Sequence, residues 1–239
     1  MAGQLDLTAA GIEVVLLDIE GTTTPISFVH EQLFPYARAR VREFLDQHAS
    51  DEDIQRLVSE LRGLQNAATG GGPAGDIVPF IHFLIDSDRK LGPLKALQGR
   101  IWEQGYAIGE IEGDVYADVL PAFDRWTRAD IRVAIFSSGS VLAQQLLFAH
   151  STAGDLSPYI STYYDTAVGA KGDAASYRRI VEGLDRRSPA QILFISDVVP
   201  ELDAARDAGL RTLLCVRPPS LMPEPAGHSI VESFDGIRP

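Results

Sequence analysis

The chain has 239 residues, 45% hydrophobic and 23% charged, which supports one good core or a core plus a smaller inserted unit and excludes an intrinsically disordered chain. A formal charge of -12 excludes a general nucleic-acid binder, which needs clustered Lys and Arg to meet a phosphate backbone. A single cysteine, Cys215, excludes an internal disulfide, and in the run Leu213-Leu214-Cys215-Val216 it reads as a small buried hydrophobe.

Met1 to Gly11 are polar and lack the basic and apolar regions of a signal peptide. No run approaches the ~20 apolar residues that span a membrane, so a cytoplasmic protein with no membrane partner is expected. The first buried strand is Val14–Asp18. It runs into Asp18-Ile19-Glu20-Gly21-Thr22, delivering two acids and a threonine into a glycine turn. Like charges at i and i+2 repel unless a cation or a proton lies between them. A hard cation with oxygen ligands suits both acids, and a carboxylate so placed can attack a phosphoryl group.

Residues 29–117 read as helical. Leu33, Ala37, Val41, Phe44 and Leu45 keep helical spacing. Ser50 and Asp53 resemble a capping box ahead of Ile54, Leu57, Val58, Leu61 and Leu64. Thr69-Gly70-Gly71-Gly72-Pro73-Ala74-Gly75 is a break, read as an inter-helix loop rather than a phosphate cradle because it follows a helix and not a strand. Asp76–Asp86 and Pro93–Gln104 continue helically, with Pro93 near a helix start. The interval is too long for one crossover, so it is expected to be a helical cap inserted after the first strand.

Four further strands are expected at Arg132–Ser138, Ser161–Asp165, Ile192–Asp197 and Thr212–Val216. Helices at Leu142–His150, Gly172–Gly183 and Glu201–Gly209 lie between them. Unbroken apolar strands alternating with helices give an α/β fold with a doubly wound parallel sheet. The expected division is a core of residues 1–28 and 118–239 and a cap of residues 29–117. The proline-rich tail, 218–239, is expected to be irregular. His30, His48, His82, His150 and His228 show no ligand spacing. Trp102 and Tyr106, one helical turn apart, suit either core packing or a substrate contact.

In an open α/β sheet, ligands bind at the C-terminal ends of the strands. There stand Asp18 and Glu20, then Ser137-Ser138-Gly139, then Lys171 in the loop after the third strand, then Ser196-Asp197. Three carboxylates, hydroxyl and backbone donors and one lysine suit a magnesium ion and a phosphoryl group. Glu201, one helical turn after Asp197, reads slightly better as an ordinary helix-start acid than as site support. Ser140 reads as a helix cap, and Thr22 as a brace of its loop.

The order Asp-x-Glu-x-Thr, Ser, Lys, Asp resembles the haloacid dehalogenase superfamily, over roughly residues 12–28 and 118–217. The longer string Leu17-Asp18-Ile19-Glu20-Gly21-Thr22-Thr23-Thr24-Pro25-Ile26-Ser27-Phe28-Val29 is similar to the enolase-phosphatases (acireductone synthases) of methionine salvage. So are Phe136-Ser137-Ser138-Gly139-Ser140-Val141 and Leu97-Gln98-Gly99-Arg100-Ile101-Trp102. His30 departs from the expected pattern, outside the four motifs.

That resemblance implies a haloacid dehalogenase-like core with a cap and a magnesium-dependent phosphatase acting on a small phosphorylated molecule. It implies Asp18 as nucleophile and Glu20 as general acid and base. Asp18, Glu20 and Asp197 would hold the metal, Glu20 by its side chain or its backbone carbonyl. Ser137, Ser138 and Lys171 would hold the phosphate. The base for enolisation stays open between Glu20 and a cap residue. A monomer is the state the resemblance favours. A magnesium-dependent phosphatase of another small ester is the competing enzyme, and a non-catalytic phosphate-binding protein the competing class.

Overall fold

The computed structural model describes residues 5–69, 75–185, 188–219 and 227–239. The chain divides into two compact units, residues 1–26 with 113–239, and residues 27–112. Most of the glycine-rich stretch, residues 70–74, lies outside the described residues.

The chain begins with β1 (Leu5–Asp6) and β2 (Val14–Leu17). All four residues of β2 are buried, as a parallel strand covered on both faces requires. In the helical unit a π-type turn (Phe28–Leu33) leads into α1 (Phe34–Gln47), followed by α2 (Glu52–Thr69), α3 (Val78–Asp86) and α4 (Gly92–Ala107). Within it α1 packs on α3 and α4, and α2 on α4. Trp102 donates its indole N–H to the Leu33 carbonyl at 2.8 Å and stacks on Phe34 at a centroid distance of 6.5 Å. The cap of α2 is Asp51 and not Ser50: Asp51 Oδ1 accepts from the backbone N–H groups of Asp53 and Ile54 at 2.9 and 3.3 Å. A carboxylate both accepts these bonds and complements the positive end of the helix dipole, which a serine does not.

The remaining elements are α5 (Val119–Arg128), β3 (Arg132–Phe136), α6 (Val141–Ala149), β4 (Ile160–Tyr164), α7 (Ala174–Gly183), β5 (Ile192–Ser196), α8 (Val199–Asp207), β6 (Arg211–Cys215), β7 (Ser229–Val231) and β8 (Ile237–Arg238). Six strands form one parallel sheet in the order β4-β3-β2-β5-β6-β7. The order reverses at β2, whose Leu17 pairs with Ile135 of β3 on one side and Ile195 of β5 on the other. Val14 and Leu16 point into a cluster with Phe136, Tyr177, Ile180, Phe194 and Leu202, while Val15 and Leu17 turn to the opposite face by the two-residue period of a strand.

From Ser229 onward the C-terminal tail is more regular than its composition suggests. Strand β7 extends the main sheet beside β6, and β8 pairs in parallel with β1. Trp126 of α5 donates to the Ile237 carbonyl at 3.2 Å, and its ring lies 5.5 Å from that of Phe234. Strands of two and three residues are too short to show a period, so only their pairing reveals them. Gly209, at φ +90°, ends α8 in the left-handed conformation that a residue without Cβ adopts freely.

Candidate active site

Asp18 follows the last residue of β2, and its N–H extends the ladder to the Ile195 carbonyl at 3.0 Å. The residue is 2% exposed. Oδ1 accepts from the Ile19 N–H at 2.8 Å and from Lys171 Nζ at 2.5 Å. Lys171, carried in the loop before α7, also reaches Glu201 Oε2 at 2.7 Å. The Tyr177 hydroxyl donates to the Lys171 carbonyl at 2.8 Å and steadies that loop. Burial alone would depress the lysine, but the charges of Asp18 and Glu201 outweigh it and hold the ammonium above its ordinary value.

Ser196, the last residue of β5, joins the same group. Its hydroxyl stands 3.3 Å from Asp18 Oδ2 and 3.0 Å from Glu201 Oε2, and it accepts from the Val198 N–H at 3.1 Å. Glu201 is therefore more than a helix-start acid, because it binds Lys171 and Ser196 together. Burial, and then the Asp18 charge, push its carboxyl upward. Asp197 is pushed up to about 7 by burial, by Asp18 and by Glu201, with Lys171 offsetting part of the rise.

Gly21 makes this packing possible. It sits at φ +73°, and a Cβ at that position would collide with Asp197 Oδ2. The loop behind it folds on itself: the N–H groups of Thr22, Thr23 and Thr24 all point to the Ile19 carbonyl, at 2.9–3.1 Å. The hydroxyl that braces this loop belongs to Thr23, which reaches the Asp18 and Ile19 carbonyls at 3.4 and 3.3 Å. Thr22 Oγ1, expected in that role, has no hydrogen-bond partner.

Ser137, after β3, is buried, and its hydroxyl lies 3.4 Å from Glu20 Oε2 while accepting from the Gly139 N–H at 3.1 Å. Ser138 follows it, half-buried. Gln144 closes the turn by donating to the carbonyls of Gly139 and Tyr164, both at 2.9 Å. Ser140 caps α6 by accepting from the Ala143 N–H. Cys215 is buried, its thiol pushed up to about 12 chiefly by burial, and packs as a hydrophobe.

The structure thus gathers Asp18, Lys171, Ser196 and Glu201 by direct contact, brings Glu20 to Ser137, and sets Asp197 against Gly21. Ser196, noted in the sequence only as the neighbour of Asp197 at a strand end, takes a place of its own here through its hydroxyl.

A model of haloacid dehalogenase-like hydrolases matches residues 12–209, which places the chain in that class of enzyme. A Synechococcus elongatus protein named enolase-phosphatase E1 is 52% identical over 95% of this chain and 98% of its own length. The Drosophila melanogaster protein of that name is 48% identical over 86% of this chain and 84% of its own. The crystal structure of the UTR4 protein of Saccharomyces cerevisiae superposes with a TM-score of 0.78 at 34% identity, covering 94% of this chain and 99% of that one. The chain belongs to the enolase-phosphatase E1 family of haloacid dehalogenase-like hydrolases. Among the described residues, no helix is long and apolar enough to cross a membrane.

Proposed function

We propose that this protein is the enolase-phosphatase of methionine salvage. It converts 2,3-diketo-5-methylthiopentyl-1-phosphate to 1,2-dihydroxy-3-keto-5-methylthiopentene and inorganic phosphate. The observation that carries the catalytic reading is Asp18, buried at the end of the central strand with Lys171 on its Oδ1. A carboxylate so held is oriented beneath an arriving phosphate ester.

Enolisation passes a proton from the carbon that bears the phosphate ester to a base, Glu20 or a residue of the cap, and returns one to the neighbouring carbonyl oxygen, giving the enol. The Asp18 carboxylate then attacks phosphorus, forming an aspartyl-phosphate as the ester oxygen leaves with a proton from Glu20. Glu20 next takes a proton from water, and the resulting hydroxide attacks the aspartyl-phosphate, releasing phosphate and restoring Asp18. Ser137 and Ser138 hold phosphate oxygens through hydroxyl and N–H donors, and Lys171 adds positive charge where negative charge develops. The helical unit of residues 27–112 acts in this reading as a cap that admits substrate and excludes water.

The donor set fits a hard cation. Asp197 is raised to about 7 by burial and by the charges of Asp18 and Glu201, a load that one lysine does not offset. Among the described residues, no three His, Cys, Asp or Glu side chains group to hold a metal. In this reading the Asp18 and Asp197 carboxylates and the Glu20 backbone carbonyl would hold magnesium, the Glu20 side chain being turned to Ser137. Bound there, magnesium neutralises charge on the transferring phosphoryl group. The Glu20 carboxylate, 3.4 Å from the Ser137 hydroxyl, carries the proton transfers in this reading. A cytoplasmic, monomeric enzyme completes the reading.

The test follows enol absorbance and free phosphate together on the diketo phosphate, with and without magnesium. Both products, each requiring magnesium, are expected. Phosphate from unrelated esters without any enol would leave a phosphatase of another substrate.

A further inference from the structure

Arg217, two residues beyond the end of β6, is 4% exposed. Burying a guanidinium is costly unless every face of it is used. Here Nη1 reaches Asp118 Oδ2 at 2.6 Å, and Cζ lies over the rings of Tyr116 and Phe234, 4.3 and 4.4 Å from their centroids. The two remaining nitrogens, Nε and Nη2, both donate to one acceptor, the Thr22 carbonyl, at 2.9 and 2.8 Å. Thr22 lies in the loop that follows Asp18. The next carbonyl, that of Thr23, accepts from the Tyr116 N–H at 3.0 Å. On its other side the same loop carries Gly21 against Asp197. The loop is therefore clamped between Arg217 and Asp197, and Asp118 fastens the clamp to the tail through Ser233 at 3.0 Å.

We propose that Arg217 is a positioning residue for catalysis, holding the Gly21–Thr24 loop in the conformation that aims Glu20 and keeps Asp197 beside Asp18. The proposal rests on the catalytic roles given above to Asp18 and Glu20. A fork fits the task and a point charge does not: a lysine has one nitrogen, which cannot fill the places of Nη1 and of the Nε–Nη2 pair together. A cavity of about 320 Å³ lined by Tyr116, Asp118, Arg217, Glu232, Ser233 and Asp235 opens beside the guanidinium. It gives small molecules in solution access to that position.

The experiment compares wild type, Arg217→Lys and Arg217→Ala on the diketo phosphate and on p-nitrophenyl phosphate, with and without methylguanidine. Both variants should lose roughly 50-fold or more in kcat on either ester, with KM within about 3-fold, as a misplaced reacting group predicts. Methylguanidine should restore kcat of Arg217→Ala by about 10-fold or more and leave wild type unchanged, a response that a merely structural role would not give. If Arg217→Ala does not fold, Arg217→Lys decides. A lysine variant with wild-type kcat, a loss confined to KM, or a folded Arg217→Ala that methylguanidine does not rescue would each overturn the proposal. Wild type active on p-nitrophenyl phosphate but inert on the diketo phosphate overturns the substrate reading instead, and the aryl ester still decides the role of Arg217.

Discussion

The Lys171 ammonium and Asp18 Oδ1 lie 2.5 Å apart, joined across 153 residues of sequence and both almost wholly buried. The lysine is the cation that faces Asp18 and Glu201 at once. Lys171→Met should reduce phosphate release by roughly 10²–10³-fold. It should also destabilise the metal-free protein by about 3 kcal/mol, because buried carboxylates lose their partner. Steady-state kinetics and urea unfolding check both effects.

Asp18→Asn keeps the shape of the side chain but removes the nucleophile. Phosphate release should fall below detection while the unfolding midpoint stays near that of the parent, since Asn Oδ1 still accepts from Ile19 and Lys171. A variant that still turned over would remove the covalent pathway.

Stability should depend on pH in a way set by Asp197. Its folded value, about 7, lies above its ordinary value of 3.8, so its protonated form is favoured by folding. That contribution is fully present below pH ~4 and is lost as pH rises through about 7. Glu201 is shifted in the same direction. The metal-free protein should melt a few degrees lower at pH 8 than at pH 5, at roughly 2–4 °C per kcal/mol for a chain of this length. Magnesium should raise the midpoint more at pH 8 than at pH 5. Scanning calorimetry at both pH values, with and without magnesium, measures this directly; equal magnesium shifts would contradict it.

Glu201→Gln removes one of the crowded charges while keeping an oxygen for Lys171 and Ser196. At pH 8 the metal-free variant should be as stable as the parent or more so by about 1 kcal/mol, since a buried charge is relieved. Its kcat should fall by roughly 10-fold as Lys171 loses its charged anchor. A variant less stable than the parent at pH 8 would show that Glu201 is not under electrostatic load.

Gly21→Ala tests the close approach of the loop. The left-handed backbone at φ +73° costs a non-glycine residue about 1 kcal/mol, and the new Cβ must displace Asp197. Phosphate release should drop by about 10²-fold, and the magnesium concentration needed for half-maximal activity should rise. Thermal unfolding separates the strain from the displaced ligand: a lower midpoint with unchanged magnesium dependence would leave only the strain.

Much of the site was legible in the sequence because a parallel sheet imposes its own geometry. The apolar runs ending in Asp18, Ser137 and Ser196-Asp197 are strands β2, β3 and β5, adjacent in the sheet, with their C-terminal ends on one edge. Strand direction and the right-handed crossover then leave little choice about where those residues meet. The helices α1 to α4 were equally legible, since their apolar positions repeat with a helical period.

What tertiary structure alone decided lies where sequence distance and chemistry part. Glu201 looks from the sequence like any acid in a first helical turn, a favourable partner of the helix dipole. Only the packing of α8 beside β5 puts its carboxylate on Lys171 and Ser196. Arg217 follows an apolar strand with no pattern around it, and its grip on Thr22 exists only because α5, β6 and the C-terminal tail converge on one loop. Periodicity encodes which face of an element is buried; it carries no record of which distant hydrogen-bond donors and acceptors that burial will bring together.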